Sequence, residues 1–196
     1  MAPLPKDRVT PSPPFYVTGM DYAGPFQIKS KYGRIAKLSK CYVCLFICCS
    51  TKAIYIELVS ELTKEAFTRR GKPLKKISDN GTQFVGANKE LKLLGDFLLS
   101  HSPSLTNAVS NEGINWNFIP AKSPNFGGLW EAGVKSCKKH LKRILGNCTL
   151  TFEDFYTTLV QIEAILNSRP LCPLSSSPDD FESLTPSHFL IGRRLT

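Results

Sequence analysis

Apolar positions fall in short runs or strict alternation through the first third of the chain and at helical spacing through the last third. Residues 15–28 read as a strand, with Gly24-Pro25 as a break or bulge. Residues 41–50 and 53–59 are two runs rich in β-branched and aromatic side chains, split by Ser50-Thr51-Lys52, which predicts a hairpin. A short helix over 62–70 is stopped by Gly71-Lys72-Pro73. Residues 75–79 form a short strand ending on a carboxylate, followed by the turn pair Asn80-Gly81. Leu91, Leu94 and Leu98 give 88–101 a helical face, while Ile114, Trp116 and Phe118 alternate as one side of a strand. Residues 120–128 hold two prolines and two glycines and read as a loop. Beyond it, 129–146 is an amphipathic helix with a core stripe of Trp130, Val134, Cys137, Leu141 and Leu145, and 152–167 is a second helix. Strands interleaved with crossover helices predict an α/β fold, a mixed five-stranded sheet with helices on both faces. The chain divides into a Pro-rich linker or arm (1–14), a core (15–170) and a C-terminal tail (171–196).

Composition narrows the classes. With 196 residues, 42% of them hydrophobic, the chain builds one core. Its longest apolar run, residues 41–49, is far below the roughly 20 residues of a membrane span. The first 14 residues lack the apolar stretch of an export signal, so an intracellular protein without membrane association is expected. The seven cysteines are odd in number and read as reduced thiols. Cys41 and Cys44, three apart on a strand, face opposite sides of the sheet and cannot share one zinc.

The net charge of +9 is clustered. No acidic residue lies between Asp21 and Glu57, where Lys29, Lys31, Arg34, Lys37, Lys40 and Lys52 fall; a second block is Lys135, Lys138, Lys139, Lys142 and Arg143. Such blocks suit a polyanion. On the second helix-forming block, Glu131, Lys135, Lys138 and Lys142 recur at steps of four, three and four and share a face.

Three carboxylates stand beside these blocks: Asp21 within the first strand, Asp79 at the end of a later one, Glu131 in the first turn of a helix. Singly, each has a structural reading, as an edge carboxylate, an Asx-turn or a favourable charge at a helix N-terminus. If Asp21 and Asp79 lie on neighbouring parallel strands, with the Glu131 helix packed on that sheet, the three acids converge. They then need a hard divalent cation, Mg²⁺ above all. A pair of such ions suits in-line phosphodiester chemistry.

These segments carry a resemblance. Val17-Thr-Gly-Met-Asp21-Tyr-Ala-Gly-Pro25, Ser78-Asp79-Asn-Gly-Thr-Gln-Phe84 and Pro124-Asn-Phe-Gly-Gly-Leu-Trp-Glu131 are similar to the three signature segments of retroviral and LTR-retrotransposon integrase catalytic cores. Ile165-Leu-Asn-Ser-Arg-Pro-Leu171 and Leu184-Thr-Pro-Ser-His-Phe-Leu-Ile-Gly192 resemble the BEL/Pao group of elements. The resemblance implies a ribonuclease H-like fold, with Asp21, Asp79 and Glu131 as the D, D and E that bind two Mg²⁺ ions, Mn²⁺ substituting. It implies 3′-end processing of element DNA and strand transfer into target DNA, by a homo-oligomer, in the nucleus when chromosomal DNA is the target. Lys135, Lys138 and Lys142 would then contact DNA phosphates, and Gly127 and Gly128 would hinge a mobile loop. The His/Cys zinc module and the basic barrel that flank such cores have no counterpart within these residues. Only about 15 residues, 60–74, connect the third and fourth strands, close to the minimum for a crossover. That short connection favours the alternative of a catalytically silent nucleic-acid-binding module; a ribonuclease H acting on hybrids is a further alternative sharing the metal logic.

Overall fold

The computed structural model describes residues 4–30, 36–59, 73–79, 115–120, 127–146, 148–177, 179 and 181–195. The segments expected to form helices over 62–70 and 88–101 lie outside these residues, as do 121–126 of the loop before the Glu131 helix.

In chain order the elements are α1 (Lys6–Val9), β1 (Val17–Lys29), β2 (Leu38–Cys48), β3 (Ile54–Val59), β4 (Lys75–Ser78), β5 (Asn115–Phe118), α2 (Gly128–Leu145), α3 (Phe152–Asn167), β6 (Cys172–Pro173), β7 (Ser183–Leu184) and α4 (Pro186–Ile191). The five long-range strands form one sheet in the order β3-β2-β1-β4-β5. β1 pairs antiparallel with β2 and β2 with β3, whereas β4 runs parallel to both β1 and β5. This is the mixed five-stranded α/β sheet that the alternation of strands and helices predicts. The break expected at Gly24-Pro25 is a register shift between Ala23 and Phe26, with a cis peptide at Gly24-Pro25.

β2 is buried on both faces, which is why its sequence is a continuous apolar run rather than an alternation. Val43, Leu45 and Ile47 face one way and meet Trp130, Val134, Cys137 and Leu141 of α2 and Phe155, Leu159 and Ile162 of α3. Cys44 and Phe46 face the other way, with Met20, Tyr55 and Val59. Cys41 belongs to the first cluster and Cys44 to the second, as their spacing requires, and all seven cysteines are free thiols. The observed core stripe of α2 follows the predicted one, and α3 spans the predicted residues. Thr151 caps α3 by accepting from the Asp154 N–H.

Differences arise at the ends. Residues 6–9, read as part of an extended arm, form the turn α1, held down where Lys75 donates to Asp7 across 2.6 Å. The tail makes the ribbon β6-β7 and the short helix α4, whose start is capped where His188 Nδ1 accepts from the Thr185 N–H at 3.0 Å.

β3 lies at the edge of the sheet, where unpaired backbone groups invite another strand. α3 covers that edge with side chains. Asn167 Oδ1 accepts from Ile54 N–H and its Nδ2 donates to Ile54 C=O, both at 2.8 Å, and Glu163 accepts from Ile56 N–H at 2.8 Å. One step on, the Arg169 guanidinium donates to Lys52 C=O at 2.7 Å. The Asn-Ser-Arg-Pro segment therefore has a structural task that its sequence did not disclose. Asn167 is buried, so truncating it strands both Ile54 groups. Asn167→Ala is expected to cost about 2–3 kcal/mol in urea unfolding, whereas replacing the exposed Gln161 on the same helix leaves the midpoint unchanged within error.

Candidate active site

Alternation along β1 places Met20 in the second cluster and Ala23 in the first, so Asp21 shares the face that carries α2. Across β2 it pairs with Leu45, a core residue beneath that helix. On its other side the parallel register sets Gly19 opposite Ile77. Two residues further along both strands, Asp79 comes level with Asp21. Ile77 packs against the first cluster, so the same alternation gives Asp79 that face as well.

α2 descends onto this pair because β1 has no side chain at residue 19. A Cβ built on Gly19 would stand 2.2 Å from Trp130 Cε3, well inside van der Waals contact. Trp130 is only 4% exposed and lies flat on that gap. Gly133, one turn on, admits Leu45, whose Cδ2 would be 3.1 Å from a Cβ there. Glu131 follows Trp130 directly and is itself exposed. Its carboxylate is folded back over the first turn, with Oε1 2.6 Å from where a Gly127 Cβ would be, while its N–H donates to Gly127 C=O at 3.1 Å.

The two glycines expected to hinge a loop stand at the start of α2, and residues 121–126 of that loop lie outside the described residues. Gly127 has a φ of −85°, open to any residue, and provides room for the Glu131 carboxylate; Gly128 is the first residue of α2. Gly19 and Gly133 are the positioning residues that sequence reasoning missed. A glycine inside a strand pattern signals close backbone approach, and Gly19 carried that signal.

Burial pushes the Asp21 carboxyl up to about 6; the Tyr22 N–H, 2.7 Å away, pulls it down, Asp79 raises it, Lys138 lowers it and Glu131 raises it. The three acids and Lys138 therefore act on one another through space. Lys135, Lys138 and Lys142 are all exposed on α2, beside Lys139 and Arg143. In the other basic block, Lys37 and Lys40 are exposed, while Lys31 and Arg34 lie outside the described residues.

Oxygen donors around an acid that resists ionisation are the donor chemistry of a hard divalent cation. Asp21 and Asp79 meet that description by position. Among the described residues, however, no three His, Cys, Asp or Glu side chains stand close enough to hold one ion together.

No family model matches the sequence, and no curated protein does. Solved structures do. A chain of the simian T-cell lymphotropic virus intasome in complex with PP2A regulatory subunit B56 gamma superposes with a TM-score of 0.55 at 14% identity. The match covers all of this chain and 62% of that one, so this chain spans under two thirds of its length. The catalytic core domain of BIV integrase superposes with a TM-score of 0.50 at 16% identity, over 89% of this chain and 92% of that one. The fold is that of retroviral integrase catalytic cores. The magnesium complex of the HTLV-2 integrase core, in its trimeric form, is more distant in shape, with a TM-score of 0.47 at 16% identity, over 90% of this chain and 97% of that one.

Two outcomes test the geometry. Gly19→Ala forces Trp130 off β1 and is expected to cost about 1–3 kcal/mol, read by denaturant unfolding; an unchanged midpoint would show that α2 does not depend on this contact. Asp21 binds its proton more tightly folded than unfolded. In metal-free buffer, stability should therefore fall as pH rises from about 4 to about 6 and level off above. Asp21→Asn removes that slope, so its melting temperature should exceed wild type at pH 7 and match it near pH 4.

Proposed function

We propose that the chain is an integrase catalytic core that cuts and joins DNA by metal-dependent 3′-end processing and strand transfer. The observation that carries this reading is the parallel β1-β4 register, which sets Asp79 level with Asp21 beneath the helix bearing Glu131. In that frame residues 15–170 are the catalytic core, 1–14 a linker and 171–196 a tail. The tail segments that include Asn167, Arg169 and Thr185 support a BEL/Pao-type retrotransposon as the source. A nuclear site of action follows from a chromosomal target. No helix among the described residues is long and apolar enough to cross a membrane.

Asp21, Asp79 and Glu131 would hold two Mg²⁺ ions, or Mn²⁺, which when bound activate the attacking oxygen and stabilise the leaving one. Asp21 suits this role because burial, with two like charges nearby, raises its carboxyl to about 6, a penalty on the ionised form that a bound cation would relieve. Glu131 joins by turning its exposed side chain off Gly127, a change of rotamer that leaves α2 in place. Lys138, already acting on Asp21, and its neighbours Lys135 and Lys142 bind the phosphates on either side of the reacting one. Phe152, Val160 and Ile165, exposed on α3, support self-association, since DNA joining at two ends suits a homo-oligomer.

The short connection over residues 60–74 favours a second reading, a catalytically silent DNA-binding module. One assay separates them. With Mg²⁺ or Mn²⁺ the purified protein should nick or join oligonucleotide DNA, and Asp79→Asn should abolish this while DNA binding persists. Wild-type inactivity equal to that of the mutant, with binding intact, would establish the silent module instead.

A further inference from the structure

On the α2 side of the sheet, below the carboxylates, α1 roofs a cavity of about 220 Å³ over strands β4 and β5. Ile77, Leu129 and Trp130 give it an apolar wall, and Asp7, Arg8, Lys75 and Asn117 are polar members of its lining. Asp7, the acid adjacent to Arg8, is taken by Lys75 at 2.6 Å. Arg8 is half-buried, and its Nε is shielded from solvent with no hydrogen-bond partner among the described residues. A charged donor left this way is costly, and such groups in native proteins ordinarily have an acceptor. The roof is a single helical turn whose Asp7 is paired with Lys75 of β4.

We propose that this cavity binds a small aromatic carboxylate, its carboxylate on the Arg8 guanidinium and its ring against Trp130 and Ile77. The mainly apolar wall argues against a bare phosphate, which would lose its hydration to Arg8, the other lining cation, Lys75, being paired with Asp7. The volume lies below the roughly 300 Å³ at which drug-sized ligands are held, so one ring is the fitting size. This site is separate from the carboxylates and does not depend on what they bind, but it shares Trp130 with the helix that carries Glu131.

The test uses the full chain carrying Trp116→Phe, which leaves Trp130 as its one indole. Benzoate should change the Trp130 fluorescence saturably with a Kd of about 1 mM, typical of so small a ligand. Benzyl alcohol and inorganic phosphate should each bind at least about tenfold more weakly, as should benzoate to Arg8→Met, with circular dichroism confirming its fold. Equal binding of benzyl alcohol, equal binding of phosphate, or no saturable benzoate signal would each overturn the proposal. Because the first two comparisons are made without altering Arg8, a misfolded Arg8→Met chain would not protect it.

Discussion

The contact of Trp130 with the bare backbone at Gly19 is the constraint from which the site follows. An indole needs a flat, apolar seat, and a strand offers one only where a side chain is missing. With Trp130 seated, the first turn of α2 cannot rise off β1, and Glu131 is held next to a strand that bears Asp21 two residues past the seat. Gly133 repeats the device over Leu45, so the helix is drawn down along its length rather than pinned at one point. Trp130 also makes one wall of the cavity under α1, where the N-terminal turn, β4, β5 and α2 come together.

The sheet is arranged to tolerate this. Antiparallel strands on one side give a platform in β2 that is mostly buried from Cys41 onward, while the parallel pair β1-β4 brings two strand segments to the same level on the same face. The exposed consequence of such a platform is the edge β3, and α3 closes it with Asn167, Glu163 and Arg169 rather than with another strand. A helix that packs by its apolar stripe thus also completes a hydrogen-bond ladder, so the stability of the edge and that of the α2-α3 layer are coupled.

Electrostatics sets the opposing demand. Burial holds the Asp21 carboxyl near 6, and its acidic neighbours oppose ionisation further, offset by Lys138. Without a cation the cluster destabilises the fold as the pH rises toward neutrality, and the folded-back Glu131 relieves part of that by withdrawing a charge to the helix N-terminus, where a carboxylate is favoured. Apolar packing, not the acids, holds the site in shape.

By itself the sequence determined the strands, the two long helices, the core stripe of α2 and the opposed cysteines, because these rest on periodicity and on a glycine-proline break. It also singled out Asp21, Asp79 and Glu131 by position and resemblance. Only the tertiary structure decided how they meet, since strand order and parallel register are properties of pairing that no local pattern encodes. It decided that the Glu131 carboxylate folds back over Gly127, and that Asn167 and Arg169 serve a strand more than a hundred residues earlier. It also decided that Lys76, polar in any pattern, is almost wholly buried in the sheet. Each of these depends on contacts between distant segments, where steric fit and desolvation outweigh the preference of any one residue.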